Sequence, residues 1–410
     1  YKHNPLNPNS LSGNFVTALC EDKDGFIWIG TDQKGLNKFD VKNGVFTHFI
    51  NQPDDDHSIT SNEIADIEED KEGTIWIAID NSGFCKYEKT TGRFLRYKND
   101  PNNKKSLPCD QISVLVAERN GKLLIGTIGG GLLEFDKKKN SFTRIRYDPG
   151  DHEDITAYGI YALLEDSKER IWIGTYGTGL FCYDRKTGST ETYLNTYSDT
   201  TSISNNTISA IVESDDGTIW VGTYDGLNKF DNINKRFKRY NENNGLPNNN
   251  IYGIVIDESK NLWISTNKGL AKLNPSTNDI KTYTKADGLQ SDEFNQWAHC
   301  KGSRGNIYFG GINGFNIFNP SKFKDLNIKP KIVLTNLLLF NKSIPVGYDE
   351  HFERTILTKP LDDTNTLELT HYDYFFSIKF IALDYISPKS IKYAYKLKGF
   401  DNEWIYVNAD

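Results

Sequence analysis

Residue types that do enzyme chemistry are plentiful in this chain, but their spacing assembles no reacting group. The seven histidines stand at 3, 48, 57, 152, 299, 351 and 371, with no H-E-x-x-H helix and no triad motif around them. The five cysteines, Cys20, Cys85, Cys109, Cys182 and Cys300, lack any CxxC or Cys/His spacing that would hold a metal. Their odd number leaves at least one thiol unpaired, and four of the five fall in expected strands, where a buried thiol behaves as a small hydrophobe. Carboxylates concentrate in D-x-x-G turns such as Asp22-Lys23-Asp24-Gly25 and Asp70-Lys71-Glu72-Gly73, where they serve turn geometry and solvation. Those turns lack the spaced oxygen ligands and terminal Glu of a calcium loop. No catalytic residue, metal or cofactor is expected. Binding chemistry is better represented. Tyr158, Tyr161, Tyr176 and Tyr224 each join an apolar ring to a hydroxyl, and Asp32 and Asp80 stand at matching places in other segments.

What must position these residues is a frame that recurs seven times. Its clearest copy reads Ile27-Trp28-Ile29-Gly30-Thr31, three loop residues, then Gly35-Leu36-Asn37-Lys38-Phe39-Asp40. The anchor returns at Trp76, Leu124, Trp172 and Trp220, each 48 residues on, and then at Trp263 and Tyr308 after 43 and 45. A period of about 40–50 residues signals a repeat architecture and overrides local readings. Each copy carries four short alternating runs. In the second they are Ile64-Ala65-Asp66-Ile67, Thr74-Ile75-Trp76-Ile77, Phe84-Cys85-Lys86-Tyr87 and Arg93-Phe94-Leu95-Arg96-Tyr97, bounded by Gly, Asp and Asn as strands are. A small residue closes every anchor strand (Gly30, Ala78, Gly126, Gly174, Gly222, Ser265 and Gly310), which suits close approach of a neighbouring backbone at a crowded centre.

Four antiparallel strands repeated seven times predict an all-β fold, a seven-bladed β-propeller over residues 1–320. The tryptophans are its inter-blade filler, and Leu124 and Tyr308 depart from that consensus. After Pro320 the period stops. Apolar or alternating runs at Lys331–Phe340, Leu367–Leu369, Phe375–Phe380 and Ile391–Tyr395 predict a partial Ig-like β-sandwich over 321–410, cut short at Asp410.

Of the 410 residues 13% are aromatic and 25% charged, which is core material enough for an ordered fold. The net charge of −7 argues against a general nucleic-acid binder, which needs a basic footprint. No apolar run is long enough to span a bilayer, and no signal peptide opens the chain. Met is absent and Tyr1 through Leu11 matches Tyr97 through Leu107, so the chain is expected to be a piece of a longer product with further repeats upstream. The seventh copy has no clear fourth strand after Asn319, so N-terminal residues are expected to close its blade.

The repeated D-x-x-G-x-I-W-I-G-T…G-L-x-x-F-D pattern resembles the two-component regulator propeller repeat. Downstream, Tyr385-Ile386-Ser387-Pro388, then Tyr393-Ala394-Tyr395-Lys396-Leu397-Lys398-Gly399-Phe400-Asp401 and Trp404, resemble the three-tyrosine domain that follows such propellers. By motif position its name-giving tyrosines are Tyr385, Tyr393 and Tyr395. The two resemblances cover nearly the whole chain. They imply the periplasmic sensor half of a hybrid two-component system from glycan-degrading gut bacteria. In that family two propellers and the sandwich precede a membrane helix, a histidine kinase, a receiver and a DNA-binding domain. The implied ligand is an oligosaccharide, and the implied partner is a second copy of the parent protein, anchored in the inner membrane. This chain departs from the full pattern in lacking the first propeller and everything past the sandwich.

The T-x-x-x-G loops and the long inter-repeat loops lie at the same strand ends, hence on one propeller face. The residues opening the short loops are Asp32, Asp80, Ile128, Tyr176, Tyr224, Asn267 and Ile312. Most copies open their innermost strand with a polar residue (Asn14, Asn62, Asp110, Asn206 and Asn249), whereas the fourth has Tyr158, followed by Tyr161. Aromatic platforms beside carboxylates and amides are what a sugar ring, with its C–H faces and hydroxyls, requires. The candidate ligand-binding residues are therefore Tyr158, Tyr161, Tyr176, Tyr224, Asp32 and Asp80. The competing reading for the tyrosines is packing between blades. Trp297-Ala298-His299 suits an inner strand in register, and core packing is expected there. Two other classes compete with a sensor. A propeller lyase or glycoside hydrolase needs paired carboxylates, or a Tyr/His pair, converging at the axis. An interaction scaffold needs a broad apolar face.

Overall fold

In a computed structural model, which describes residues 1–146, 159–323, 331–383 and 393–407, each D-x-x-G turn and the tryptophan after it form one unit. Asp22 Oδ1 accepts the backbone N–H groups of Asp24 and Phe26 at 3.1 and 2.9 Å, and Oδ2 accepts the Trp28 indole N–H at 2.8 Å. The same carboxylate-to-indole bond joins Asp70 to Trp76, Asp166 to Trp172 and Asp257 to Trp263. One side chain thus shapes the hairpin and satisfies the only polar group of a fully buried anchor. In blade three Glu118 holds the matching position six residues before Leu124, which has no side-chain N–H to offer, and it pairs instead with Arg185 of blade four. In blade seven the Tyr308 hydroxyl donates to Glu21 of blade one.

The chain divides into two units, Tyr1–Phe323 and Lys324–Asp410. Among the described residues of the first, six antiparallel sheets have four strands in sequence order and a seventh has three. The innermost strands are Val16–Glu21, Ile64–Glu69, Ile112–Ala117, Ile160–Glu165, Ile208–Glu213, Ile251–Ile256 and Phe294–Lys301. Each packs against the next, and the last packs against the first, so the seven sheets stand as blades around a closed ring. Apolar clusters fill the seams between blades. One seam holds Trp28 with Ile64, Ile77 and Cys85, and another holds Trp172 with Ile208, Val221 and Phe230.

The small residue ending the anchor strand works differently from the expectation. A Cβ on Gly174 would lie 2.6 Å from Ile208 Cγ2, and one on Gly30 2.6 Å from Ile64 Cγ2. What approaches is the first side chain of the next blade's innermost strand rather than a backbone.

The seam between blades seven and one closes with Tyr1, at the start of the chain, set against Phe315 in the third strand of blade seven. The Tyr1 carbonyl accepts from Phe315 N at 3.0 Å, its amino group donates to Phe315 O at 2.8 Å, and its ring stacks on Phe315 at 5.0 Å. Tyr1 there takes the place that Tyr97 has beside Phe84, with rings stacked at 4.6 Å.

In the second unit Lys331–Leu339 pairs antiparallel with Phe376–Leu383 and with Lys342–Ser343, and two hairpins join Gly347–Asp349 to Arg354–Leu357 and Tyr393–Tyr395 to Ile405–Val407. Leu367 and Leu369 form no strand: they pack on the Leu337, Leu339 and Leu357 cluster without a ladder partner. Of the three named tyrosines, Tyr385 lies outside the described residues, and the Tyr393 hydroxyl accepts from Ala382 N at 3.2 Å.

Candidate functional site

The short loops that begin with Tyr176 and Tyr224 are held by their own backbones. Thr175 Oγ1 donates to Gly179 O at 2.7 Å, and Thr223 Oγ1 donates to Gly226 O at 3.0 Å. Tyr176 N in turn donates to Gly159 O at 3.0 Å, at the start of its own blade's innermost strand. The tyrosine side chains are therefore fixed at the rim of the channel that the innermost strands enclose.

Three of the expected residues meet there. The rings of Tyr161 and Tyr176 lie 5.2 Å apart and tilted by 42°. Tyr161 also meets Trp297 of blade seven edge-to-face at 5.4 Å, and Trp297 Nε1 donates to the Tyr161 backbone carbonyl at 2.6 Å. Innermost strands four and seven are not neighbours in the ring, so this bond crosses the axis. Tyr224 Oη donates to Gln296 Oε1 at 3.1 Å. Burial, then the nearby hydroxyls of Tyr161, Tyr252 and Tyr176, push the Tyr224 phenol up to about 12. The side chains that meet here, Tyr161, Tyr176, Tyr224, Gln296 and Trp297, include none of the acidic or basic types that carry charge at neutral pH. Tyr176 keeps 52% of its surface exposed, and the others are half-buried.

Asp32 and Asp80 are not brought into this cluster. They open the equivalent loops of blades one and two. Asp32 is exposed, and Asp80 accepts from its neighbour Asn81 at 3.0 Å. Among the described residues neither has a hydrogen bond, ion pair or ring contact with the tyrosines. Tyr158 lies outside the described residues. The polar residues opening the innermost strands are occupied by the loops before them. Asn62 Oδ1 accepts from Asn51 N, Asp110 Oδ1 from Asn99 N, and Asn206 Oδ1 from Asn195 N, each at 2.7 Å.

Sequence reasoning missed Gln296 and assigned Trp297 to core packing. Trp297 is instead half-buried and belongs to none of the inter-blade clusters. A signal existed: Phe294 to Ala298 spans two residues more than the matching Val16 to Ala18. His299 does pack between blades. A Cβ on Gly253 would lie 2.3 Å from its Nδ1, and burial lowers the ring's pKa to about 4.

Elsewhere along the innermost strands, burial pushes Asp66 up to about 6 and Glu68 up to about 8. Two such carboxyls are what a hydrolytic site would use. Here Asp66 Oδ2 accepts from Leu115 N at 2.8 Å and Glu68 Oε1 from Ala117 N at 3.0 Å, so both seal the seam between blades two and three. A surface groove of about 790 Å³ lies against the outer strands of blade five among Asp215, Phe230, Arg236 and Lys238. It is an open seam of mixed charge, whereas the axial cluster gathers side chains from three blades. The axial cluster is the candidate site.

The fold and this site define a β-propeller with an aromatic mouth on its axis. The chain carries the two-component regulator propeller repeat: that family's model matches residues 10–33, 154–177, 202–225 and 245–268. It is 31% identical over 114 residues to histidine kinase P4 of Formosa agariphila, a match covering 28% of this chain and 8% of that protein. Among solved structures it is similar to the extracellular domain of a hybrid two-component system from B. thetaiotaomicron, with a TM-score of 0.77 and 28% identity over 100% of this chain and 52% of the other. A second such extracellular domain from that organism shares the fold at a TM-score of 0.61 and 22% identity, covering 96% of this chain and 52% of its own. The chain thus spans about half the length of these solved relatives and a small part of the kinase. Among the described residues no helix is long and apolar enough to cross a membrane.

Proposed function

We propose that this chain is the ligand-sensing periplasmic part of a hybrid two-component histidine kinase, binding an oligosaccharide at the axial mouth of its propeller. The parent protein, a homodimer anchored in the inner membrane, passes the binding event to its kinase and so controls glycan-utilisation genes. The observation that carries this reading is the meeting of Tyr161, Tyr176 and Tyr224 from two blades with Gln296 and Trp297 from a third. Aromatic rings with hydroxyl and amide groups around them match the alternating C–H faces and hydroxyls of a sugar. Relatives that are extracellular domains of hybrid two-component systems support the sensor role. The chain itself acts as a binder rather than an enzyme, because the raised carboxyls of the ring are engaged by backbone N–H groups of the adjoining blade.

Calorimetric titration with a panel of defined oligosaccharides, followed by product analysis of the same mixtures, tests this. One glycan class binding with every oligosaccharide recovered intact is the expected result. Cleaved products would replace the sensor with a propeller lyase or glycoside hydrolase.

A further inference from the structure

Gln296 and Trp297 stand outside the repeat. In blade one the innermost strand carries one extra residue against its partner: Val16 pairs with Thr31 and Ala18 with Gly30. Blades two to six repeat that single irregularity. In blade seven Phe294 pairs with Gly311 and the next paired residue is His299 with Phe309, leaving three extra residues on the inner side. A bulge re-aims the side chains it carries, and this one points into the channel.

The bulge also holds Trp297 at φ 65°, in the left-handed region that a bulky L-residue avoids. Such a conformation persists where surrounding contacts enforce it, and it gathers at ligand clamps and active sites. Here the enforcing contacts are the indole bond to Tyr161 O and the edge-to-face contact with the Tyr161 ring. Next to it, Gln296 uses Oε1 to accept from Tyr224, while its Nε2 is buried with no hydrogen-bond partner among the described residues. An unmatched amide donor costs free energy until an acceptor arrives.

We propose that the Gln296–Trp297 insertion is the specificity-setting floor of the ligand site. This rests on the oligosaccharide-sensor reading and adds to it which residues choose the ligand. A sugar ring enters from the loop face, lies against Trp297 and Tyr176, and accepts a hydrogen bond from Gln296 Nε2 through one of its oxygens. Trp297 joins blade seven to blade four across the axis, so the ligand stops at that depth. The sugar seated there is uncharged, because the described side chains of the cluster offer no cation to a carboxylate or sulfate stripped of water.

The test is calorimetry on the full chain, titrating neutral oligosaccharides and length-matched uronate oligosaccharides into the unaltered protein and into Gln296→Ala, Trp297→Phe and Tyr176→Ala. A neutral oligosaccharide is expected to bind, with Kd raised about tenfold or more in each variant. Thermal midpoints, read in parallel, separate lost contacts from lost fold. Gln296→Ala removes the orphan donor without touching the indole, so the test stands even if Trp297→Phe unfolds. Neutral binding that weakens in Tyr176→Ala but is retained in Gln296→Ala and Trp297→Phe would overturn this inference and leave the sensor reading in place. Binding of uronate oligosaccharides alone would also overturn it. Absence of binding by every oligosaccharide would overturn both.

Discussion

At the scale of single residues, neighbouring tyrosines of one type do different work. Tyr193 and Tyr240 pack against Trp172 and Trp220 at ring distances of 6.0 and 5.9 Å, as inter-blade filler. Tyr176 and Tyr224 stand two strands inward, at the rim of the axis. The sequence distinguishes the two sets, because the first closes a fourth strand and the second opens a T-x-x-x-G loop. What it does not carry is which rim residues meet. Asp32 and Asp80 hold the same loop position as Tyr176, yet they lie on blades one and two and have no described contact with the aromatic cluster. Exposed Tyr176 makes a clean probe. Tyr176→Ala is expected to weaken oligosaccharide binding about tenfold, while folding stability stays within about 0.5 kcal/mol of the parent. A large fall in the thermal midpoint would show the ring to be structural filler instead.

At the scale of the strand and the blade, most of the design was legible. The Asp-to-Trp spacing of six residues is one physical device, since that distance brings a carboxylate back over the hairpin to an indole N–H. The small residue after the anchor strand was also visible, but its purpose was not, because the Ile208 side chain that fills the space above Gly174 comes from the next repeat. Gly174→Val is expected to cost about 1–3 kcal/mol through overpacking, read as a lower denaturation midpoint. An unchanged midpoint would mean that the seam yields freely.

The seam between blades two and three gives a pH prediction. Burial holds the Glu68 carboxyl protonated up to about 8 in the folded chain, against its ordinary value of 4.5 in the unfolded one. The folded pKa is raised, so this group's contribution to stability is complete below pH 4.5 and is lost as pH rises through 8. Glu68→Gln, which mimics the protonated form, is expected to match the parent near pH 4.5 and exceed its thermal midpoint near pH 9. Parallel curves across that range would contradict the assignment. The blade-seven bulge was the least legible element. The period of 45 hides its two inserted residues among loops of varying length.

At the scale of the whole ring, closure is the vulnerable step, because the first and last blades meet without a chain connection between them. A repeated strap joins neighbouring blades: Glu69 accepts from Lys23 N, Glu165 from Arg119 N and Glu213 from Ser167 N. At the closing seam Glu21 plays this part, taking Ser303 N at 3.3 Å, Ser303 Oγ at 2.6 Å and the Tyr308 hydroxyl. Glu21→Ala strands the buried phenol as well as the turn, and is expected to cost about 2 kcal/mol in denaturant unfolding. A loss below about 0.5 kcal/mol would show that the Tyr1 and Phe315 contacts alone hold the ring shut. Closure by N-terminal residues was foreseeable from the missing fourth strand. The site, which exists only once seven repeats stand in a circle, was foreseeable only in part.

The most direct test of a ligand site on the propeller axis is hydrogen–deuterium exchange of the chain with and without a saturating oligosaccharide that it binds. Protection is expected in residues 159–162, 175–179, 223–226 and 294–299, the segments that build the aromatic mouth. Protection confined to the loops of blades one and two, or to the outer groove of blade five, would contradict the account.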